Sequence, residues 1–235
     1  MDENKMEMPL ASFSLTHVHY NPEDPLSYLC AFLSLVPQAL VVIYITLIWS
    51  SREVEVLLMF AGQMLCEALN FSLKRLIQEE RPHQIYGKGY GMPSSHSQFV
   101  AFFAFSVTLF LLFRHNPTTS STLPNDSPST FTQRVAMSLL ACLGAAAVAS
   151  SRVYLHYHSA KQVLVGVLAG SGFALVWYLL GAYLRMSGWI EWFLEAKIPR
   201  SLRMRDLLMG EDLAEAGWQR WKMRQRAFNR AKKFS

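Results

Sequence analysis

The sequence predicts an all-α fold: a polytopic membrane helical bundle of about five to six membrane helices. Three observations predict it. Of the 235 residues, 51% are hydrophobic and 17% charged, where a soluble domain carries about 25% charge. The apolar residues come in blocks, and residues 26–49 contain no charge at all; a bilayer core needs about 20 such residues in helix. The clusters of polar residues fall at the edges of these blocks.

Residues 1–25 form a polar N-terminal segment, acidic and broken by prolines. No basic region leads into an apolar core, so it does not read as a signal peptide. Five spans follow, at 26–49, 54–73, 97–113, 135–150 and 162–184. The third and fourth are short for a bilayer. The stretch "MSGWIEWFLEAKIP" (186–199) carries three large aromatics and two glutamates. It is expected to be an interfacial helix, with a re-entrant or crossing segment as the alternative. The linker 114–134 is rich in Ser, Thr, Pro and Asn and reads as a flexible loop. The spans and 186–199 together make one membrane domain, 26–199.

The tail, 200–235, holds ten Lys or Arg against four acids and supplies the basic character of a chain with net charge +5. Such a tail is expected on the cytosolic side, in contact with anionic lipid and not with nucleic acid. Cys30, Cys66 and Cys142 all lie in apolar blocks. Their number is odd and no CxxC occurs, so they read as small buried hydrophobes.

Three polar clusters carry the chemistry. "KRLIQEERP" (74–82) follows the second span, "GMPSSHS" (91–97) precedes the third, and "SRVYLHYHSAKQ" (151–162) joins the fourth to the fifth. Alternation of spans places all three on one face of the membrane. Lys74, Arg81 and Arg152 supply fixed positive charge, and arginine offers forked donors that match phosphate oxygens. Pro93-Ser94-Ser95-His96 opens a helix, whose first N–H groups are free to meet an anion. His96 and His158 remain for acid–base or nucleophilic work. Singly, these residues read as span-flanking charges, a helix start and a structural histidine. So many cations together at a membrane edge point to an oxyanion site.

These residues resemble the type 2 phosphatidic acid phosphatase (PAP2) superfamily. Lys74, six residues, then Arg81-Pro82 resembles its first motif. Pro93-Ser94-Ser95-His96 resembles its second, usually Pro-Ser-Gly-His. Ser151-Arg152, five residues, then His158 resembles its third. The wording "YGMPSSHSQF" and "SRVYLHYHSAKQV" is similar to the dolichyl diphosphatase branch. The resemblance implies a PAP2-like core and a prenyl diphosphate lipid substrate, hydrolysed without metal or other cofactor. It implies His158 as nucleophile, forming a phosphohistidine, and His96 as the acid that protonates the leaving lipid phosphate and then activates water. Lys74, Arg81, Ser94, Ser95 and Arg152 would hold the phosphate, and Gln162 would orient His158. It also implies the endoplasmic reticulum membrane, a lumenal site, and recycling of the lipid carrier for N-glycosylation. Two positions depart from the superfamily pattern: Ser95 replaces glycine, and Gln162 stands where aspartate is common, as it also does in the dolichyl diphosphatase branch. The alternatives are a broad-specificity lipid phosphate phosphatase and a catalytically silent scaffold of the same fold.

Other residues carry weaker expectations. Glu67, Asn70 and Lys74 share one helical face, so Glu67 is expected either to pair with a motif cation below the site or to make a polar packing contact. Glu79 and Glu80 read as solvated loop charges, and no carboxylate set near the motifs suits Mg²⁺. His156 is expected to point away from the site. Gly166, Ala169, Gly170 and Gly172 suggest close helix packing. Five spans with a cytosolic tail put the motifs and the amino terminus in the lumen; a crossing at 186–199 would reverse this. The sequon at Asn125 then lies in the cytosol and is expected to stay unglycosylated.

Overall fold

Among the described residues, five helical stretches are long and apolar enough to cross a membrane and make up the body of the structure: Pro25–Ser51, Val54–Ile77, Ser95–Arg114, Phe131–Tyr154 and Ala160–Met186. The computed structural model describes residues 11–13, 18–82, 89–116 and 129–234; Asn125 lies outside them.

The first span is two helices, α1 (Pro25–Leu33) and α2 (Val36–Ser51). Asp24 caps α1 by accepting from the Leu26 N–H. Pro37 falls in the first turn of α2, where its missing N–H costs nothing. The break leaves the Ser34 carbonyl outside the helical ladder. Next come α3 (Val54–Ile77), α4 (Ser95–Leu109), α5 (Phe131–Tyr154) and α6 (Ala160–Met186). A π-helical turn, Phe110–Arg114, extends α4.

α4 is central. Half of its apolar stretch is buried, against 28% or less in the other spans, and it packs on α3, α5 and α6. α6 approaches it most closely at two glycines. A Cβ on Gly166 would stand 2.7 Å from the Ser94 carbonyl oxygen, and one on Gly170 would run into the Gln98 carbonyl. This is the small-residue contact expected of Gly166 and Gly170. Gly172, by contrast, faces open space.

The segment 186–199 holds two short helices, α7 (Trp189–Glu195) and the start of α8 (Lys197–Ser201). At about 1.5 Å per residue neither approaches the ~30 Å hydrocarbon core. The tail then forms α9 (Leu213–Phe234).

At the end of the bundle away from the motifs, buried carboxylates tie the tail down. Glu53 is fully buried and accepts from Arg205 Nε at 2.7 Å and from the Leu207 and Leu208 N–H groups at 2.8 and 3.1 Å. Glu55, also buried, pairs with Arg114 at 2.7 Å and with Arg185, which in turn pairs with Asp206. The π-helical turn delivers Arg114 to this cluster.

At the motif end, a short antiparallel ribbon, β1 (Ala11–Phe13) and β2 (Val18–Tyr20), joins the body. Val18 packs with Cys30, Ala31, Leu155 and Tyr157. The His19 N–H donates to Tyr157 Oη at 2.8 Å. The end of the polar N-terminal segment thus folds over the third motif. Cys30 and Cys66 are buried as expected, whereas Cys142 is exposed, with its Sγ 3.7 Å from Thr108 Oγ1 of α4.

Candidate active site

α3 ends at Gln78, whose backbone is left-handed (φ 53°) and whose N–H returns to the Lys74 carbonyl. This C-terminal turn redirects residues 79–82 toward the start of α6. The Glu79 carbonyl accepts the Gly91 N–H at 2.7 Å, which closes the first motif against the second. Lys74 Nζ donates to Ser95 Oγ at 3.3 Å. Beneath them, Asn70 Nδ2 donates to Gln98 Oε1 at 2.7 Å, and Gln98 Nε2 to the Cys66 carbonyl at 3.0 Å. These buried amides fix how far α4 begins from α3.

The Ser94 carbonyl takes the first bond of α4, from the Gln98 N–H at 3.0 Å. The N–H groups of Ser95, His96 and Ser97 therefore reach no backbone carbonyl among the described residues. They form the free, partially positive end of the helix. Ser94 itself is fully buried. Its N–H donates to the Gln162 carbonyl at 3.1 Å, and its hydroxyl accepts from Ser97 at 3.1 Å. The Ser94 N–H and the acceptor side of its hydroxyl bond inward and fix the turn, while the hydroxyl hydrogen remains able to donate to a ligand; Ser95 is the more open of the two serines.

His96 Nε2 lies 3.2 Å from the Ser34 carbonyl released by the break in the first span. A carbonyl only accepts, so Nε2 carries hydrogen and Nδ1 is the nitrogen free to gain or lose a proton.

Arg152, in the last turn of α5, is buried. Its Nη2 donates to the Cys30 carbonyl at 3.2 Å, and Nε and Nη2 both donate to Ser151 Oγ at 3.2 Å. Its own carbonyl accepts the N–H groups of Tyr157 and His158. That loop turns through left-handed His156 (φ 57°), which is exposed, whereas His158 is buried.

α6 opens with a reciprocal cap: Ser159 Oγ accepts the Gln162 N–H, and Gln162 Oε1 accepts the Ser159 N–H. Gln162 Oε1 also lies 3.2 Å from His158 Nδ1. Gln162 Nε2 donates to the Glu80 carbonyl at 2.8 Å and to Glu79 Oε1 at 3.2 Å. With acceptors on its nitrogen side and a donor on its oxygen side, the amide has one orientation. His158 Nδ1 must then donate, leaving the Nε2 lone pair free. Burial pushes the His158 imidazole down to about 4. Arg81 adds to the effect, the Gln162 hydrogen bond opposes it, and Lys74 and Arg152 lower it further. Three motif cations thus act on this one ring.

The structure therefore brings Lys74, Arg81, Ser95, His96, Arg152, His158 and Gln162 to one end of the bundle. Glu67 differs from the first expectation for it. It makes no ion pair among the described residues, and its Oε1 is buried without a hydrogen-bond partner. It lines a cavity of about 260 Å³ between α2, α3 and α4, together with Ser95 and His96. Lys74 turns to Ser95 instead. Glu79 also departs from its reading as a solvated charge, since it bonds Gln162. Ser34 and Gly91 were not singled out by the sequence; Pro37 within an apolar run was the available signal for Ser34. Among the described residues no group of three or more His, Cys, Asp or Glu is placed to hold a metal ion.

Residues 52–186 match the PAP2 superfamily. A Neurospora crassa protein provisionally named a dolichyldiphosphatase is 48% identical over 91% of this chain and 92% of its own length. Dolichyldiphosphatase 1 of Dictyostelium discoideum is 36% identical over 90% and 89%, and that of Homo sapiens 39% identical over 71% and 69%. No solved structure matches the chain. With three motifs joined at one end of five spans and a match over more than half its length, the chain belongs to the PAP2 superfamily.

Proposed function

We propose that this protein hydrolyses dolichyl diphosphate to dolichyl phosphate and phosphate. The observation that carries the reading is the His158–Gln162 pair. The amide holds the imidazole with Nε2 unprotonated, within the field of Arg81, Lys74 and Arg152. A neutral nucleophile among cations suits attack on an anionic phosphorus.

In the first step His158 Nε2 bonds the terminal phosphorus and the bridging P–O bond breaks, with its electrons going to the leaving dolichyl phosphate. His96 enters this step as the imidazolium, with Nε2–H held by the Ser34 carbonyl, and its Nδ1–H passes to that oxygen. In the second step water attacks the phosphohistidine, His96 Nδ1 takes its proton, the N–P bond breaks and phosphate leaves. Lys74, Arg81, Ser94, Ser95, Arg152 and the N–H groups opening α4 hold the phosphate oxygens as charge redistributes over them. In-line attack puts the leaving group opposite His158. The cavity that His96 lines between α2, α3 and α4 lies among the spans, where an isoprenoid chain can remain in lipid.

On this reading the site faces the lumen of the endoplasmic reticulum, where the reaction recycles the lipid carrier for N-glycosylation. The basic tail lies in the cytosol. Trp218, Trp221 and Phe228 are exposed along one side of α9 and are flanked by Arg220, Lys222, Arg224 and Arg226, the pattern of a helix that rests on anionic lipid. Sugar on Asn125 in membranes from secretory cells would refute this orientation.

The purified protein, in EDTA, is to be offered dolichyl diphosphate and separately phosphatidate, beside His158→Ala. Phosphate release from the prenyl diphosphate, lost in the variant, is the expected result. Preference for phosphatidate would sink the substrate assignment. Turnover of neither would favour the silent scaffold.

A further inference from the structure

Glu79 joins the site through another side chain. Its Oε1 accepts from Gln162 Nε2 at 3.2 Å, and Gln162 Oε1 faces His158 Nδ1 at 3.2 Å. Its Oε2 pairs with Lys161 at 2.8 Å. Hydrogen bonds from Lys161 and Gln162 hold the carboxyl below the usual carboxylate range, so it is an anion at neutral pH. Lys161 is largely exposed and Glu79 half-buried, and an ion pair to so exposed a lysine contributes little stability. Gln162, by contrast, is buried. The link that reaches into the protein is the one to the amide.

We propose that Glu79 is a positioning residue for the reaction: it supplies the negative charge behind His158, acting through the Gln162 amide. The inference rests on the reading of His158 as nucleophile. As Nε2 bonds phosphorus, positive charge develops on the ring and is shared with Nδ1–H. A neutral amide oxygen offers that hydrogen only a dipole. Shifting the amide's electron density from Nε2 to Oε1 strengthens the oxygen as an acceptor, and the Glu79 carboxylate stabilises the positive charge this leaves on Nε2. No proton leaves Nδ1 in this step. The chain His158–Gln162–Glu79 thus sets a carboxylate one amide further from the imidazole than direct contact would.

The test uses the full chain in detergent with dolichyl diphosphate. Glu79→Gln keeps an acceptor for Gln162 and removes the charge. Its kcat is expected to fall about 10- to 100-fold, the range seen for partners one shell behind a ligating histidine, with KM within about twofold. Lys161→Met removes the ion pair and leaves the chain to His158 intact; its kcat is expected within about twofold of wild type. Moving the charge inward, E79Q/Q162D is expected to recover most of the activity lost in E79Q. It should also exceed Gln162→Asp alone, in which two carboxylates face each other. That last comparison does not depend on E79Q folding by itself. Unchanged kcat in E79Q, an equal loss in Lys161→Met, or a double variant no better than Gln162→Asp would each overturn the proposal and leave Glu79 a tether for its loop. Hydrolysis surviving in His158→Ala would instead overturn the nucleophile, a separate outcome.

Discussion

Gly91 lies flat against the side-chain amide of Gln162: a Cβ built on it would stand 2.8 Å from both Nε2 and Oε1. The same glycine donates its N–H to the Glu79 carbonyl, so the first, second and third motifs meet at one residue without a side chain. Gly91→Ala is expected to push the amide away from His158 and lower kcat by about 100-fold, the scale of a 1 Å misplacement. Steady-state kinetics on the folded variant, with thermal midpoint recorded in parallel, checks this. A full loss of folding or an unchanged kcat would each disagree with it.

Burial and neighbouring cations take the His158 imidazole from its ordinary 6.5 down to about 4. The unfolded chain therefore binds a proton between these values that the folded chain refuses. The stability associated with neutral His158 is complete above about pH 6.5 and is lost as pH falls toward 4. The thermal midpoint of the wild-type protein, minus that of His158→Ala, is expected to decline across that window and level off below it.

Glu55 sits buried between Arg114 and Arg185. Removing the carboxylate leaves two guanidinium groups in a largely enclosed place. Glu55→Ala is expected to cost about 3–5 kcal/mol, read as a lowered unfolding midpoint. Activity per folded molecule should hold, because the cluster lies at the end of the bundle away from the motifs.

Two glycines of α6 separate packing from mere smallness. Gly170 meets the Gln98 carbonyl, whereas Gly172 meets nothing. Gly170→Val is expected to lower both stability and activity, since it must displace the helix that carries His96. Gly172→Ala is expected to be neutral or slightly stabilising, as alanine is the better helix former by about 1 kcal/mol. Equal effects at the two positions would contradict the close α4–α6 contact.

Hydropathy located all five spans, because a charge-free apolar run has few other folds open to it. It placed their ends less well. The third and fourth spans run on to Ser95 and Tyr154, since Ser95, His96, Ser151 and Arg152 are helical although polar. The spacing of Lys74, Arg81, His96, Arg152 and His158 was enough to place them at one end. What spacing does not carry is side-chain direction. It left Glu67 undecided between pairing with a motif cation and a polar packing contact. It also read Glu79 as solvated, although its partner Gln162 is 83 residues away. The Glu53–Arg205 contact spans 152 residues, a separation that no local pattern reveals.

The central claim is that His158 bonds the terminal phosphorus. Dolichyl diphosphate labelled in its terminal phosphate, mixed with the protein and denatured within milliseconds under alkaline conditions, tests it most directly. The predicted result is an acid-labile, base-stable label on the peptide that carries His158, absent in His158→Ala. Label on another residue, or turnover by the wild type in a single displacement with no labelled protein at any time, would contradict it.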